Sequence, residues 1–305
     1  MQNTSVQARD SRMIKVLKKI VPQSIKDELN RHIAEQCAAL DAAKGQPPHP
    51  PKDDAEIALQ QVLSILRHES GHPPPPPKHL QQRVVGGYPP DFIESGFKSI
   101  YPKLNRVLQP TGKELKSFHS ILDFGCGCGR ATRALATLLP ESKLYGADID
   151  GEAIEWVSRH YAKFAEFAVV PHLPPTSYEA QQFDLVFGIS VFTHLPEDMQ
   201  FQWLKELSRI TKPHGYLILT THGEQHYKDL DAEIVEIMTQ KGFYYSDFGW
   251  NYGESISLPD FYQTAFHSHA YIQREWSNYF EVIDVQALGM NHQDTILLQN
   301  RPGKT

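Results

Sequence analysis

From Phe118 onward, two patterns of apolar and polar residues alternate along the chain, and they predict a succession of alternating strands and helices. Short apolar runs bounded by turn residues are typical of buried strands, whereas apolar positions three or four apart are typical of helices. Regular alternation of the two implies a parallel sheet with helices on both faces. The last two predicted strands have no helix between them. The predicted strands are 119–123, 143–148, 166–170, 183–189, 215–221, 280–285 and 293–299, and the predicted helices are 130–139, 152–164, 197–210 and 229–241.

The residues before this pattern predict a helical extension. Apolar residues recur at helical spacing in three stretches, which are 11–44, 54–67 and 89–108. Proline-rich segments separate them, and the run Pro73–Pro77 must adopt the extended polyproline II conformation, which here predicts a spacer. We therefore predict an N-terminal extension over 1–115 and an α/β domain over 116–305.

Composition and charge narrow the class of protein. The 305 residues carry a formal net charge of −6, so a broad basic face for nucleic acid is not expected. No apolar run approaches the ~18–20 residues that a membrane span requires. The basic stretch 13–21 predicts a helix packed on the body, with peripheral contact to anionic lipid as the alternative. With three cysteines, a disulfide framework is not expected, and the predicted location is the reducing cytoplasm.

The sharpest motif is a glycine-rich turn at the end of the first predicted strand. Residues 123–129 read Asp-x-Gly-x-Gly-x-Gly, and a helix-forming stretch follows at once. Glycines let the backbone turn tightly and approach a ligand, and the helix directs unsatisfied N–H groups toward that ligand. The dinucleotide spacing G-x-G-x-x-G fails from Gly125, where Arg130 takes the last place, and from Gly127, where Thr132 does. The phosphate-binding loop also fails, because no Gly-Lys-Ser/Thr follows.

A second carboxylate follows the second predicted strand. Asp148 lies 23 residues after Gly125, which is about the spacing at which a carboxylate accepts hydrogen bonds from both hydroxyls of a ribose. Asp150 is predicted instead to cap the next helix. The two motifs together predict a nucleoside-containing ligand at the ends of two adjacent strands.

With this turn and Gly146-x-Asp148, residues 80–301 resemble the class I S-adenosylmethionine-dependent methyltransferases. The resemblance implies a Rossmann-like α/β fold, with a seven-stranded, mostly parallel sheet, helices on both faces and a terminal antiparallel hairpin. It implies S-adenosyl-L-methionine as the cofactor, and the glycine spacing opposes a dehydrogenase. Where family members often hold the adenine with an acidic residue after strand three, His172 or backbone atoms stand in here. The residues assigned to the cofactor are Asp123, Gly125, Cys126, Gly127, Gly129, Asp148, Ile149 and Ser190.

Histidines beyond two predicted strand ends are candidates for the chemistry. A hydroxyl acceptor must lose its proton during methyl transfer, and histidine is the commonest base. His194 and His222 follow the fourth and fifth strands, so we predict both as catalytic, together with His267. The pairs Cys126-x-Cys128 and His267-x-His269 do not predict a metal site, because no further ligands are identifiable nearby.

The long connection 222–278 predicts the acceptor side of the site. A loop of this length in a compact domain is usually functional, and this one is rich in aromatic residues. Its segment 259–269 resembles the acceptor-side insertion of a bacterial methyltransferase subgroup found near sugar and cell-surface biosynthesis functions. The segment 91–96, together with 82–87, resembles the approach segment that tends to lie over the cofactor in such proteins. The predicted substrate-binding residues are Tyr262, Gln263 and His269.

These features predict an S-adenosylmethionine-dependent methyltransferase that acts at oxygen on a small-molecule or saccharide-like acceptor. Nitrogen or carbon methylation on the same fold is one alternative. A non-catalytic cofactor-binding module, which acts through its N-terminal helices and proline run, is another. The presence of Asp123 and Asp148 together with a full insertion argues against loss of catalysis.

Overall fold

The computed structural model describes residues 74–86, 92–246, 259–290 and 292–301. All of them belong to one unit, which spans residues 73–305. Within this described part of the chain, no helix has both the length and the apolar character that crossing a bilayer requires. The predicted helices 11–44 and 54–67, the basic stretch 13–21 and residues 247–258 of the insertion lie outside the described residues.

A seven-stranded sheet organises the fold. The strands are β1 (Ser120–Phe124), β2 (Lys143–Asp148), β3 (Glu166–Val169), β4 (Phe183–Gly188), β5 (Thr211–Thr221), β6 (Phe243–Ser246), β7 (Thr264–His267), β8 (Phe280–Met290) and β9 (Gln293–Asn300). The sheet has the order β3-β2-β1-β4-β5-β9-β8, and β6 pairs with β7 separately. Strands β1 to β5 pair in parallel, whereas β9 runs antiparallel to β5 and β8. The predicted sheet with its terminal hairpin is confirmed.

Helices cover both faces of this sheet. They are α1 (Lys78–Val85), α2 (Phe92–Ser95), α3 (Tyr101–Leu108), α4 (Arg130–Leu138), α5 (Gly151–His160), α6 (Glu197–Ile210), α7 (Glu224–Tyr227), α8 (Ala232–Lys241) and α9 (His269–Glu275). Successive side chains of a strand point to opposite faces. Accordingly, Leu122 packs in one core cluster with Trp203, and its neighbour Ile121 packs in another with Leu135. Coverage on both faces explains why the central strands are apolar throughout.

The segment before the sheet packs against it closely. One turn of π-helix, Gly96–Ile100, joins α2 to α3. Helix α3 buries Leu104 and Leu108 in the same cluster as Ile121. Gly96 permits the approach of this segment to α4, because a Cβ there would lie 2.5 Å from the Arg130 carbonyl oxygen. The sequence prediction places this segment in the extension, and in the structure it is part of the unit that contains the sheet.

The insertion contains elements that the sequence pattern does not predict. Strands β6 and β7 pair antiparallel, with Phe243 opposite His267, and α9 follows them. Each of these strands has four residues and α9 has seven, so each is too short to show a clear period. Strand β5 also begins at Thr211 rather than at residue 215, because Thr211 pairs with Phe183 beyond an irregularity in register.

Asn300 fastens the end of β9 to the junction of α6 and β5. Its buried Nδ2 donates to the carbonyl oxygens of Ser208 at 2.9 Å and Thr211 at 2.7 Å, and its Oδ1 accepts from Ser208 Oγ at 2.9 Å. The last carbonyl groups of a helix have no partner within the helix. Because α6 passes directly into β5, the Asn300 amide supplies the missing donors.

We expect Asn300→Ala to lower the free energy of unfolding by roughly 2–4 kcal/mol, because hydrogen bonds disappear and buried carbonyl groups lose their partner. Urea denaturation measures the change. The control is Asn278→Ala, which removes an exposed side chain and should shift stability by less than about 0.5 kcal/mol. Equal losses in the two variants would contradict the capping role of Asn300.

Candidate functional site

A cavity of about 490 Å³ lies at the carboxyl ends of β1, β2, β3 and β4. Ligands of open α/β sheets bind at that edge, and this volume is in the range of small-molecule and cofactor sites. Residues that follow the four strands form one side of it, and α1, α6 and the segment after residue 258 form the rest. The lining comprises Gly125 and Gly127; Asp148, Ile149, Asp150, Gly151 and Ala153; Val170 and His172; Ile189, Ser190, Val191 and Leu195; Phe124; Leu80, Arg83 and Val84; Trp203; and Pro259, Phe261 and Tyr262.

The turn after β1 is built so that only glycine fits. Gly125, Gly127 and Gly129 have φ angles of +80°, +52° and +77°, which side chains rarely adopt. A Cβ on Gly125 would overlap the side chain of Val191, and one on Gly127 would lie 2.5 Å from Val84 Cγ2. Both valines line the cavity, so the missing side chains let the turn form its floor. Gly129 precedes α4 and is not part of the lining.

Asp148 holds the turn and lines the cavity. Its Oδ2 accepts from the Gly127 N–H at 2.7 Å, and its Oδ1 accepts from the Asp150 N–H at 2.9 Å. Burial raises the pKa of Asp148, and the backbone N–H donors act against this shift by favouring the carboxylate. A carboxylate has about four lone-pair sites, so Asp148 retains acceptor capacity. This donor and acceptor set fits the hydroxyl pair of a ribose.

Asp123 lies beneath the turn rather than in the cavity wall. Its side chain is 3% exposed, and its Oδ2 accepts from Thr132 Oγ1 at 2.6 Å. Burial raises the pKa of Asp123 to about 7, against the Thr132 hydrogen bond, which favours the carboxylate. The structure therefore places Asp123 where it supports the turn, and does not place its side chain among the lining residues.

The cysteines of the turn are buried thiols. Cys126 is absent from the cavity lining, and burial raises its pKa well above the usual range. Burial likewise raises the pKa of Cys128 to about 12. Neither environment favours the thiolate that binds metals. Among the described residues, no group of three or more His, Cys, Asp or Glu side chains could hold a metal ion.

Ile149 and Ser190, two predicted cofactor residues, both line the cavity. Ser190 has a φ of +60°, which is uncommon for a residue other than glycine. Its N–H donates to Thr220 Oγ1 at 2.8 Å, and its Oγ accepts from Gln293 Nε2 at 2.8 Å. Bonds to β5 and β9 thus hold a strained backbone at the end of β4, as often happens at binding sites.

Helix α1 forms one wall of the cavity, and the predicted approach segment includes only part of this helix. Leu80, Arg83 and Val84 line the cavity. Arg83 Nη1 lies 2.9 Å from Asp150 Oδ2, and its Nη2 lies 2.8 Å from Glu152 Oε2. Asp150 Oδ1 also accepts from the Glu152 and Ala153 N–H groups, which confirms its predicted role as the cap of α5. The ion pairs therefore fix α1 to the start of α5.

None of the three predicted catalytic histidines is among the cavity lining residues. The His194 ring stacks on Tyr262, a lining residue, with ring centroids 4.0 Å apart. The His222 ring lies 6.2 Å from that of His194 and is almost completely buried. His267 is fully buried, with its Nε2 2.8 Å from Gln200 Oε1. The structure brings His194 against the cavity wall, and neither His222 nor His267 lines the cavity.

Burial keeps these rings neutral near pH 7. It lowers the pKa of His194 to about 4, that of His222 to about 2 and that of His267 to about 3. His194 Nδ1 lies 2.8 Å from the Gln263 carbonyl oxygen. Because a carbonyl oxygen only accepts, Nδ1 carries the ring proton and Nε2 keeps a lone pair. His194 can therefore accept a proton at Nε2.

The predicted acceptor residues divide between two places. Tyr262 lines the cavity, and Gln263 contributes its backbone carbonyl to His194. His269 begins α9, where its Nε2 lies 2.7 Å from Asp294 Oδ2 and its side chain is 44% exposed. The structure does not bring His269 to the cavity.

Other lining residues escaped the sequence prediction. Val170 directly follows β3, so the strand-end rule that found Asp148 could have found it too. Trp203 and Phe261 carry no such signal, because each reaches the cavity from an element that the sequence does not place beside the strand ends. His172 packs edge-on against Phe261, with ring centroids 5.3 Å apart, and its carbonyl oxygen accepts from Trp203 Nε1.

Comparison with known proteins finds a match in the same region. A family model described as a methyltransferase domain matches residues 122–217, from β1 to β5. A malonyl-[acyl-carrier protein] O-methyltransferase of Hahella chejuensis is 29% identical over 133 residues, 42% of this chain and 47% of that protein. A tRNA N(3)-methylcytidine methyltransferase of Schizosaccharomyces pombe is 27% identical over 127 residues, 39% of this chain and 49% of that protein. This chain spans about half the length of these curated relatives.

A solved structure aligns over a longer part of the chain. The PH0226 protein from Pyrococcus horikoshii OT3 matches 72% of this chain and 98% of its own, at 21% identity and a TM-score of 0.48. According to their names, the two curated relatives methylate different kinds of atom, so similarity to them does not specify the acceptor.

The buried histidines make stability depend on pH. Their pKa values are near 6.5 in an unfolded chain and lower in the fold, so the unfolded state binds more protons below about pH 6.5. The contribution of these neutral histidines to stability is fully present above about pH 6.5 and is lost as the pH falls toward their pKa values in the folded state. Asp123 has the opposite effect, because burial raises its pKa in the folded state to about 7. Between its unfolded and folded pKa values, its contribution to stability decreases as the pH rises.

We expect His267→Phe to reduce the slope of unfolding free energy against pH by about 1.4 kcal/mol per pH unit, which is one proton, between about pH 5 and 6. The matched control is Gln200→Leu, which removes the same hydrogen bond but no titrating group. It should lower stability and leave the slope unchanged. Urea denaturation at several pH values measures both, and an unchanged slope in His267→Phe would show that this ring is charged in the fold.

Proposed function

Because this chain belongs to the class I S-adenosylmethionine-dependent methyltransferases, we propose that it transfers a methyl group from S-adenosylmethionine to an oxygen atom of a small-molecule or saccharide-like acceptor. One observation carries the proposal. The glycine turn and Asp148 together line a cavity of about 490 Å³ at the carboxyl ends of the parallel strands. This arrangement offers close backbone approach and a carboxylate for a ribose at a single place.

The described residues offer partners for each part of the cofactor. Asp148 would accept hydrogen bonds from the ribose hydroxyls of the bound cofactor. The backbone at Gly125 and Gly127 approaches the amino-acid end without obstruction by side chains. Ile149 and Val170 provide apolar surface for the purine ring, since no carboxylate follows β3.

Chain residues then have two tasks in methyl transfer. When bound, S-adenosylmethionine supplies a methyl group on a positively charged sulfur, which becomes a neutral thioether when the carbon–sulfur bond breaks. The protein aligns the acceptor oxygen with that carbon, and alignment alone lowers the barrier substantially. The acceptor hydroxyl releases its proton as the new oxygen–carbon bond forms, so a proton acceptor is needed.

We assign the proton acceptor to His194 rather than to His222 or His267. His194 packs on Tyr262, which lines the cavity, and its Nδ1–H is held by the Gln263 carbonyl. Because His194 does not line the cavity, the proton would reach the Nε2 lone pair through a bridging water. His222 lies behind His194, and His267 bonds Gln200 elsewhere.

Asp148→Ala is expected to weaken S-adenosylmethionine binding by at least about tenfold, which is about 1.4 kcal/mol, because the ribose loses its carboxylate partner. Titration calorimetry measures the affinity, and the wild-type protein should show no affinity for NAD. The control is Asp229→Ala, at an exposed position outside the cavity, which should bind normally. Unchanged affinity in Asp148→Ala would refute the ribose assignment.

His194→Ala is expected to lower turnover by about 10²–10⁴-fold while leaving S-adenosylhomocysteine affinity within about twofold, because His194 does not line the cavity. Turnover is followed by mass spectrometry of methyl-labelled products formed in a metabolite extract of the source cells. Added imidazole should restore part of the activity, which a purely structural role would not allow. The control is His119→Gln, at an exposed position before the amino end of β1. Turnover that persists in His194→Ala would exclude it as the base.

A further inference from the structure

We propose that the acceptor at this site is an uncharged molecule with an apolar body, a narrower class than the one given above. The inference rests on the proposed function, since it concerns the second substrate of the same cavity. Three features support it: the apolar wall beside β4, the position of the charged groups of the described lining on the cofactor side, and the neutral layer behind that wall.

The order of the strands identifies the acceptor side. The ends of β2 and β1 carry Asp148 and the glycine turn, which are the anchors for the cofactor. Strand β4 lies on the other side of β1, so the wall after β4 is the part of the cavity that remains for the acceptor. We call this the β4 wall, and it consists of Ile189, Ser190, Val191 and Leu195 together with Tyr262, which packs on His194. This assignment moves Ser190 from the predicted cofactor residues to the acceptor side.

The β4 wall offers apolar surface and few polar groups. Ile189, Val191 and Leu195 are aliphatic, and the Tyr262 ring presents an aromatic surface. The Ser190 hydroxyl is bonded to Gln293. A polyhydroxylated acceptor would lose its hydrogen bonds to water here and regain few, at a cost for each group left unpaired. The wall therefore favours an apolar body over a saccharide.

The charged groups in the described lining lie on the side of the cavity that we assign to the cofactor. They are Arg83, Asp148 and Asp150, and all of them belong to α1 or to the end of β2. The Arg83 guanidinium bonds two carboxylates, those of Asp150 and Glu152. A carboxylate or phosphate on the acceptor would thus be desolvated without meeting an unpaired cationic side chain of the described lining, which is unfavourable.

The layer behind the β4 wall is also neutral. His194 supports Tyr262 and carries no charge near pH 7, because burial lowers its pKa to about 4. Phe192 and Thr193 beside it are fully buried. Two carboxylates lie two residues from the wall in sequence: Glu197 accepts a hydrogen bond from the Tyr271 hydroxyl, and Asp260 is exposed. Neither carboxylate is among the residues that line the cavity.

Fractionated metabolites test the proposal although the acceptor is unidentified. The protein is incubated with methyl-labelled S-adenosylmethionine and a source-cell extract that ion exchange near pH 7 separates into anionic, cationic and uncharged fractions. We expect the labelled product to form from the uncharged fraction and to partition into an organic solvent. Label mainly in an ionic fraction, or in a product that stays in water, would overturn the inference and leave methyl transfer itself established. If no fraction yields a labelled product, the result contradicts both the proposed function and the inference that rests on it.

Three probes of similar size give an independent test on the S-adenosylhomocysteine complex. They are phenol, benzoate and benzylamine, and ligand-observed NMR ranks their binding. We expect phenol to bind at least about tenfold more tightly than either charged probe. Equal or stronger binding of benzoate or benzylamine, or no detectable binding of phenol, would overturn the proposal.

A pair of matched variants locates the effect on the β4 wall. Val191→Thr keeps the shape of the side chain but adds a hydroxyl to the wall, and it should weaken phenol binding by roughly threefold to tenfold. Val169→Thr makes the same change at a position that is 55% exposed and does not line the cavity, and it should leave binding unchanged. Equal effects in the two variants would place the phenol site elsewhere.

Discussion

The hydrogen bond from the Gly127 N–H to Asp148 Oδ2 is the constraint on which the site depends. It joins the residues that follow two adjacent parallel strands. The other oxygen of Asp148 holds the Asp150 N–H, and Asp150 in turn caps α5 and binds Arg83 of α1. One carboxylate thus fixes the glycine turn, the start of a helix and, through Asp150, the wall that covers them. Since the same carboxylate lines the cavity, a substitution of Asp148 would alter both the cofactor contact and the hydrogen bonds that hold the turn.

Ionisable side chains are buried near the edge of the sheet that holds the cavity, and burial disfavours their charged forms. Burial raises the pKa of Asp123 to about 7 and lowers the pKa values of His194, His222 and His267 far below their usual range. Ser190 keeps a backbone conformation that is rare outside glycine. Strain and buried ionisable groups of this kind persist where the surrounding structure enforces them, and they are concentrated at functional sites.

Segments that are distant in sequence complete the cavity. Helix α1 approaches the turn so closely that Val84 nearly touches Gly127, and Phe261 and Tyr262 arrive from the insertion. Their positions depend on contacts with strand ends that lie tens of residues away. The methyltransferase-domain family model matches residues 122–217, so it covers β1 to β5 and does not include α1, Phe261 or Tyr262.

The sequence by itself determined the sheet, its terminal hairpin, the glycine turn and the Asp148 position, because periodicity and turn chemistry are local properties. Local pattern could not show that Asp123 lies under the turn while Asp148 lines the cavity, since both follow apolar strands in the same way. It also could not rank His194, His222 and His267, because their order depends on which side chain packs on Tyr262. Strands β6 and β7 were beyond prediction for a related reason, as four residues give no period. Tertiary packing decided these points, because burial and proximity arise only when distant segments meet.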